Sequence, residues 1–284
     1  MYTENYFSTD DNLQLFYRDY HAADAKGLPL LCLHGLTRNS ADFADFADVF
    51  AADHRLIVPD MRGRGRSDYD SHWQNYTIDT YVKDVWRLLD ELDIETFVLV
   101  GMSMGGLMSM VMVNQQPKRI AGVVLNDIGP ELAQPGIERI MGYMEVEQNS
   151  FSLQEAVARI KAVNEEFFPK FDEDDWIAFA RRIYKAVGED QYQTSYDKGI
   201  TRAIVEGAAV AGDLWPAFAK LANCPSLVVR GGLSDLLDQE IVDKMLAVVP
   251  SLSVLEVPDM GHHPFLNEPE CVSAIQQLLA RINT

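Results

Sequence analysis

Ser103 stands at the centre of Gly101-Met102-Ser103-Met104-Gly105, a G-x-S-x-G pattern in which a serine can act as a nucleophile. The pattern has mechanical content: a sharp strand-to-helix turn holds the middle residue in strained backbone geometry, and the glycines let neighbouring chain come close. A serine hydroxyl is a weak nucleophile and needs a base within hydrogen-bond reach, itself oriented by a third group. His262, in Gly261-His262-His263-Pro264, is the candidate base, on the loop after the last strand. Asp235, after Gly231-Gly232-Leu233-Ser234, is the expected orienting acid, because the motif predicts the chain order Ser, Asp, His. Asp127 competes with it, since acids at two neighbouring strand ends could each reach one histidine. The oxyanion formed on acyl attack needs backbone N–H donors, and position assigns these to Met104, just after the nucleophile, and Leu36, just after His34-Gly35. His34 reads as a structural turn residue and not as a base.

The elements that must hold these groups can be read from apolar runs and their period. Thr96-Phe97-Val98-Leu99-Val100 predicts a buried central strand, and the run from Leu107 to Val113, free of Gly and Pro, predicts a buried helix. Strand, elbow, helix is the order the motif requires. Further strands are expected over 13–17, as the second arm of a hairpin, and over 30–34, 56–59, 121–125, 226–230 and 253–257. Helices are expected over 78–92, 239–248 and 270–281. This alternation predicts an α/β fold with a mostly parallel central sheet flanked by helices. Between 130 and 222 no strand pattern is visible, while 154–168 and 174–187 read as amphipathic helices rich in acidic residues. The expected organisation is therefore a core domain of residues 1–129 and 223–284, interrupted by a helical insertion over 130–222.

Composition narrows the partners. With 284 residues, 48% hydrophobic and 24% charged, the chain is ordinary globular material. Its net charge of -19 argues against nucleic acid and anionic membrane, which both require cationic surfaces. Arg62-Gly63-Arg64-Gly65-Arg66 lacks the Lys-Ser/Thr pair of a phosphate loop and reads as a structural turn. The start has neither a basic region nor an apolar one, and no apolar run approaches membrane-spanning length, so a cytoplasmic protein is expected. Three well-separated cysteines, Cys32, Cys224 and Cys271, read as small hydrophobes, and the scattered histidines show no metal-ligand spacing. We expect no cofactor, no metal, and a small-molecule substrate; a homo-oligomer is compatible with the sequence.

Taken together, the chain resembles the α/β-hydrolase family, serine-nucleophile branch. The matching residues are His34-Gly35, the turn Asp60-Met61-Arg62-Gly63-Arg64-Gly65-Arg66-Ser67, Gly101 to Gly106, Gly232 to Asp235, Gly261-His262 with Pro264, and Glu268-Pro269. The resemblance implies that the insertion is a helical cap closing over the nucleophile. It sets aside the branches that dehalogenate alkyl halides or open epoxides, which carry a carboxylate where this chain has Ser103. Ring-fission-product hydrolases commonly have Asn before the nucleophile, where this chain has Met102. For the substrate pocket the candidates are Met102, Met104, Met141, Tyr143, Trp176 and Tyr184, with Arg38 as a contact for a substrate carboxylate. The expected activity is hydrolysis of a small ester or lactone through an acyl-enzyme on Ser103. The alternatives are carbon–carbon bond hydrolysis of vinylogous diketones, and a receptor that uses the capped pocket without turnover.

Overall fold

Residues 3–20 form a hairpin, β1 (Thr3–Ser8) pairing antiparallel with β2 (Gln14–Tyr20), and Asn12 turns the chain at φ 67°. The computed structural model describes residues 1–144, 150–207 and 212–282. After the hairpin, strands and helices alternate: β3 (Gly27–Leu33), α1 (Ala44–Phe50), β4 (His54–Pro59), α2 (Ile78–Glu91), β5 (Phe97–Met102), α3 (Met104–Gln115) and β6 (Ile120–Asn126). The inserted segment then supplies α4 (Gln134–Met144), α5 (Leu153–Asn164), α6 (Glu173–Ile183), β7 (Tyr184–Gly188), β8 (Gln191–Thr194), α7 (Lys198–Val205) and the short α8 (Trp215–Phe218). The alternation resumes with β9 (Ser226–Gly231), α9 (Gln239–Val248), β10 (Ser253–Val257) and α10 (Pro269–Ile282).

Eight strands form one sheet in the order β1-β2-β4-β3-β5-β6-β9-β10, parallel from β4 to β10. Strand periodicity divides the core in two. Leu31, Leu33, Leu99, Val123, Leu125 and Val228 pack on the face covered by α2 and α3, whereas Leu30, Cys32, Val98, Val100, Val124 and Val229 pack on the face covered by α1 and α10. With both faces covered, β5 is buried along its whole length, which is why its sequence shows no polar alternation. Pairing of Met102 with Asn126, and of Asn126 with Val229, brings the carboxyl ends of β5, β6 and β9 level. Loops leaving those ends therefore meet on one edge of the sheet, where open α/β sheets build their sites.

The insertion differs from its expected form in several respects: the helix read over 154–168 ends at Asn164, α4, α7 and α8 are additional, and the helix read over 174–187 ends at Ile183, after which β7 and β8 make a hairpin. Tyr184, Val187 and Tyr192 suit a strand better than a helix, and the turn at Glu189-Asp190 is closed by Asp190 at φ 47°. Phe151 pairs with Tyr192 and ties this hairpin to the start of α5. The insertion has its own aromatic cluster, in which Phe168 meets Trp176, Phe171 and Phe179 at centroid distances of 6.2, 4.8 and 5.7 Å.

Candidate active site

Ser103 joins β5 to α3 at φ 51° and ψ −116°, a conformation that non-glycine residues adopt only when their surroundings hold them in it. The surroundings do so through hydrogen bonds: the Ser103 N–H donates to Asn126 O at 3.1 Å, and its carbonyl accepts from the N–H groups of Gly106 and Leu107. The turn is possible because α3 lies against the sheet backbone. A Cβ on Gly105 would stand 2.0 Å from the Leu33 carbonyl oxygen.

Asp127 follows β6 as Ser103 follows β5, again with positive φ, here 53°. Its carboxylate is fully buried and accepts three hydrogen bonds: from Gly231 N–H at 2.8 Å, from Ser234 Oγ at 2.6 Å and from His262 Nδ1 at 2.7 Å. These donors supply what a buried carboxylate loses in leaving water. A carboxylate only accepts, so the proton of His262 sits on Nδ1 and its Nε2 lone pair is free to take another.

Asp235, the acid expected beside His262, is elsewhere. Arg139 of α4 holds it through two contacts of 2.6 and 2.9 Å. The loop after β9 turns Ser234 towards Asp127 and docks the next residues on the insertion, where Asp235 O and Leu236 O accept from Gly136 and Ala133. A bidentate guanidinium in the insertion therefore competes for Asp235 and wins it.

The two residues expected to donate to an oxyanion are Met104, directly after Ser103, and Leu36, on the loop after β3. Met104 opens α3, so its N–H has no acceptor within the helix. Leu36 lines the same cavity as Ser103, and among the described residues its N–H meets no acceptor. The loop carrying Leu36 is fixed from two sides. His34 is fully buried, its Nδ1 donating to Gly35 O and its Nε2 accepting from Met61 N–H; burial pushes its pKa down to about 4. Arg64 donates to the Leu36 carbonyl at 2.9 Å and also reaches Met104 Sδ at 3.5 Å. Its neighbour Arg62 is gripped by Asp11, Asp70 and Asp84, so the arginine turn is scaffolding for the site.

Above these groups lies a cavity of about 580 Å³. Ser103, Leu36 and His262 form its floor; Arg139 and Tyr143 of α4, Arg159 of α5 and Tyr184 of β7 belong to its walls. Of the expected pocket residues, Tyr143, Tyr184 and Arg38 line it. Met102, Met104, Met141 and Trp176 do not. Met102 continues the strand alternation into the core on the α1 and α10 side, and Met104 is buried on the opposite side of the sheet. Met141 lies off the α4 stripe of Arg139, Ile140 and Tyr143, and Trp176 packs behind Phe179, which itself faces the cavity. Arg38 is not free for a ligand's charge, because Asp42 binds it at 2.6 Å through both Nε and Nη2. Burial would raise the Asp42 carboxyl pKa, but the Arg38 charge and hydrogen bonds outweigh it and hold it below the usual range.

Sequence reasoning missed Ser234, Arg139, Arg159 and His263. Two carried a signal, His263 as the neighbour of His262 and Ser234 within the matching stretch Gly232 to Asp235. The His263 ring is buried on the cavity wall with Nδ1 3.1 Å from Pro264 O, and burial, with the charges of Arg38 and His262, pushes its pKa down to about 3. Among the described residues no group of three or more His, Cys, Asp or Glu could hold a metal ion, and no helix is long and apolar enough to cross a membrane.

Residues 29–175, which include β4 to β6 and the turn at Ser103, match the family model for the alpha/beta hydrolase fold. The chain belongs to that family and is an enzyme of the hydrolase type. It is 33% identical over 259 residues to the 3-hydroxybutyrate-oligomer hydrolase of Cupriavidus necator, covering 87% of each chain. It is 27% identical to the 2-(acetamidomethylene)succinate hydrolase of Mesorhizobium japonicum, covering 85% of this chain and 84% of that one. A crystal structure of an alpha/beta hydrolase from Novosphingobium aromaticivorans superposes with a TM-score of 0.92 at 38% identity, over 99% of this chain and 98% of the other.

Proposed function

We propose that the protein hydrolyses a small aliphatic ester by covalent catalysis, with Ser103 as nucleophile, His262 as base and Asp127 as the acid that orients it. The observation that carries this reading is the 2.7 Å bond from His262 Nδ1 to the buried Asp127, made on the edge of the sheet where Ser103 emerges. It commits His262 to the tautomer whose Nε2 can accept the serine proton. Ser103 Oγ attacks the carbonyl carbon and its proton passes to His262. The oxyanion then takes hydrogen bonds from the N–H groups of Met104 and Leu36. Collapse breaks the bond to the leaving alcohol, which takes the proton from His262. Water, deprotonated by the same histidine, then attacks the acyl-enzyme; collapse breaks the bond to Ser103 Oγ, which takes the proton back from His262, and the acid is released.

Two observations favour this over the alternatives. A receptor needs a cavity but gains nothing from three donors converging on Asp127. The position before the nucleophile, where the carbon–carbon hydrolases commonly place Asn, offers no polar side chain to the cavity, because Met102 is buried in the core. For the substrate, the likeness to a 3-hydroxybutyrate-oligomer hydrolase supports a short oligoester of a hydroxy acid, and the cavity suits a molecule of that size. We read the inserted segment over 130–222 as the cap that closes this cavity.

The test is covalent. A fluorophosphonate probe should label the wild-type protein on Ser103, and Ser103→Ala should abolish both labelling and turnover of the 3-hydroxybutyrate dimer. Undiminished labelling of Ser103→Ala would place the nucleophile elsewhere.

A further inference from the structure

Three guanidinium groups reach the wall of the cavity, those of Arg38, Arg139 and Arg159. Two are neutralised in place, Arg38 by Asp42 and Arg139 by Asp235, each through a bidentate pair. Arg159 differs: among the described residues no carboxylate pairs with it. Glu155, one turn earlier on α5, feels its charge but forms no ion pair with it; its Oε2 accepts from the Ser152 N–H at 2.7 Å and from Ser152 Oγ at 2.9 Å. Glu166 is the one carboxylate among the described lining residues, and it forms no ion pair with Arg159.

The Arg159 guanidinium lies 4.6 Å over the ring of Phe151, which in turn packs edge-on against Tyr184 at 4.8 Å. A ring takes the face of a guanidinium and leaves its in-plane N–H groups available, so stacking restricts the side chain without satisfying it. Tyr184 lies within electrostatic reach of both Arg159 and Arg38, which sets Arg159 in the same chamber as the floor groups. With a net charge of -19 the protein as a whole repels anions, so an anionic substrate needs a local cation at the site.

We propose that Arg159 binds a free carboxylate on the substrate, at the end remote from the bond that Ser103 attacks, and makes the protein selective for acid-terminated esters. The inference deepens the ester-hydrolase reading above and rests on it. It also moves the carboxylate contact expected at Arg38 to the one arginine of the cavity wall left without an acidic partner among the described residues.

Two measurements test it. The first compares kcat/KM for the linear dimer of 3-hydroxybutyrate and for its methyl ester, in wild type and in Arg159→Gln. The wild type should prefer the acid, and in the variant the ratio of acid to methyl ester should fall about tenfold, through KM, as expected for losing one charge-assisted contact. Arg159→Lys should recover part of the ratio, and added salt should shrink the preference in wild type but not in Arg159→Gln. A ratio unchanged by Arg159→Gln would overturn the inference. The second measurement is calorimetric binding of 3-(butanoylamino)butyrate, an amide that resists ester chemistry, to Ser103→Ala with and without Arg159→Gln. Weaker binding only in the double variant supports the inference even if no ester is turned over, an outcome that would sink the hydrolase reading alone. Equal binding removes Arg159 as the anion site and leaves the hydrolase reading standing.

Discussion

The floor of the cavity and its roof are built on different terms. On the floor, Ser103 and Asp127 sit directly on strand ends and are held by backbone of adjacent strands, through Asn126 O and Gly231 N–H. In the roof, Arg139, Arg159 and Tyr184 come from separate helices and a hairpin, and are held by ion pairs and ring faces instead of a shared ladder. The floor can place atoms to a fraction of an ångström because the sheet cannot shift locally without breaking its pairing. The roof can vary its side chains without disturbing that placement. On the function proposed above, the chemistry belongs to the sheet edge and the selectivity to the insertion.

The contrast breaks most visibly at the acids. Asp127→Asn should lower kcat by about 10⁴-fold, the loss seen when an orienting carboxylate becomes an amide and favours the wrong tautomer. Asp235→Asn should lower it less than about tenfold, because that side chain holds only the roof. The reverse ranking in steady-state rates would return the triad acid to Asp235. Next in size is Arg139→Ala, which leaves the Asp235 carboxylate, 14% exposed, without its partner. Stability by urea unfolding should fall by ~3 kcal/mol, at the lower end for breaking a buried pair, and KM should move more than kcat.

A third test uses pH. His34 and His263 are buried with pKa values pushed down to about 4 and about 3, below the ~6.5 of an unfolded chain. In the unfolded state they bind protons first, so their contribution is intact above pH ~6.5 and is lost progressively as pH falls towards their folded values. Between pH 6.5 and 5 each should cost about 2 kcal/mol of unfolding free energy, and replacing His263 with Gln should flatten the slope by about one such share. The smallest effect is expected at Tyr184, whose phenol burial keeps protonated. Tyr184→Phe should change kcat less than about threefold, whereas removing a true general acid costs roughly 10²- to 10⁴-fold. A loss of the latter size would bring the roof into the chemistry.

The same division decided what could be read from the sequence. The strand at Ser253–Val257 and the helix at Gln239–Val248 have the expected bounds, because local apolar period and turn residues fix them. The elbow was legible for the same reason: Gly-x-Ser-x-Gly between an apolar strand and an apolar helix is a local pattern. The choice between Asp127 and Asp235 was not local. Both satisfy the chain order Ser, Asp, His, and what separates them is the Ser234 hydroxyl and a guanidinium from α4, far away in sequence. Met102 misled because adjacency to a nucleophile says nothing about direction, and a strand sends neighbouring side chains to opposite faces. In the insertion, the first strand of the hairpin, Tyr184–Gly188, was hidden because its mostly exposed residues continue an amphipathic helix without a proline or glycine break before Gly188.

Ser103 and Asp127 share one further property with a thermodynamic consequence: each is a non-glycine residue at positive φ, on adjacent parallel strand ends. Conformations of this kind cost roughly 1–3 kcal/mol apiece and persist only where the surrounding packing imposes them. The catalytic edge is therefore a place where the folded state is less stable than it could be. Glycine at position 103 should relieve that tension while deleting the hydroxyl: on the proposed mechanism Ser103→Gly should lose turnover and yet melt at a higher temperature than the wild type, as thermal unfolding followed by circular dichroism would check.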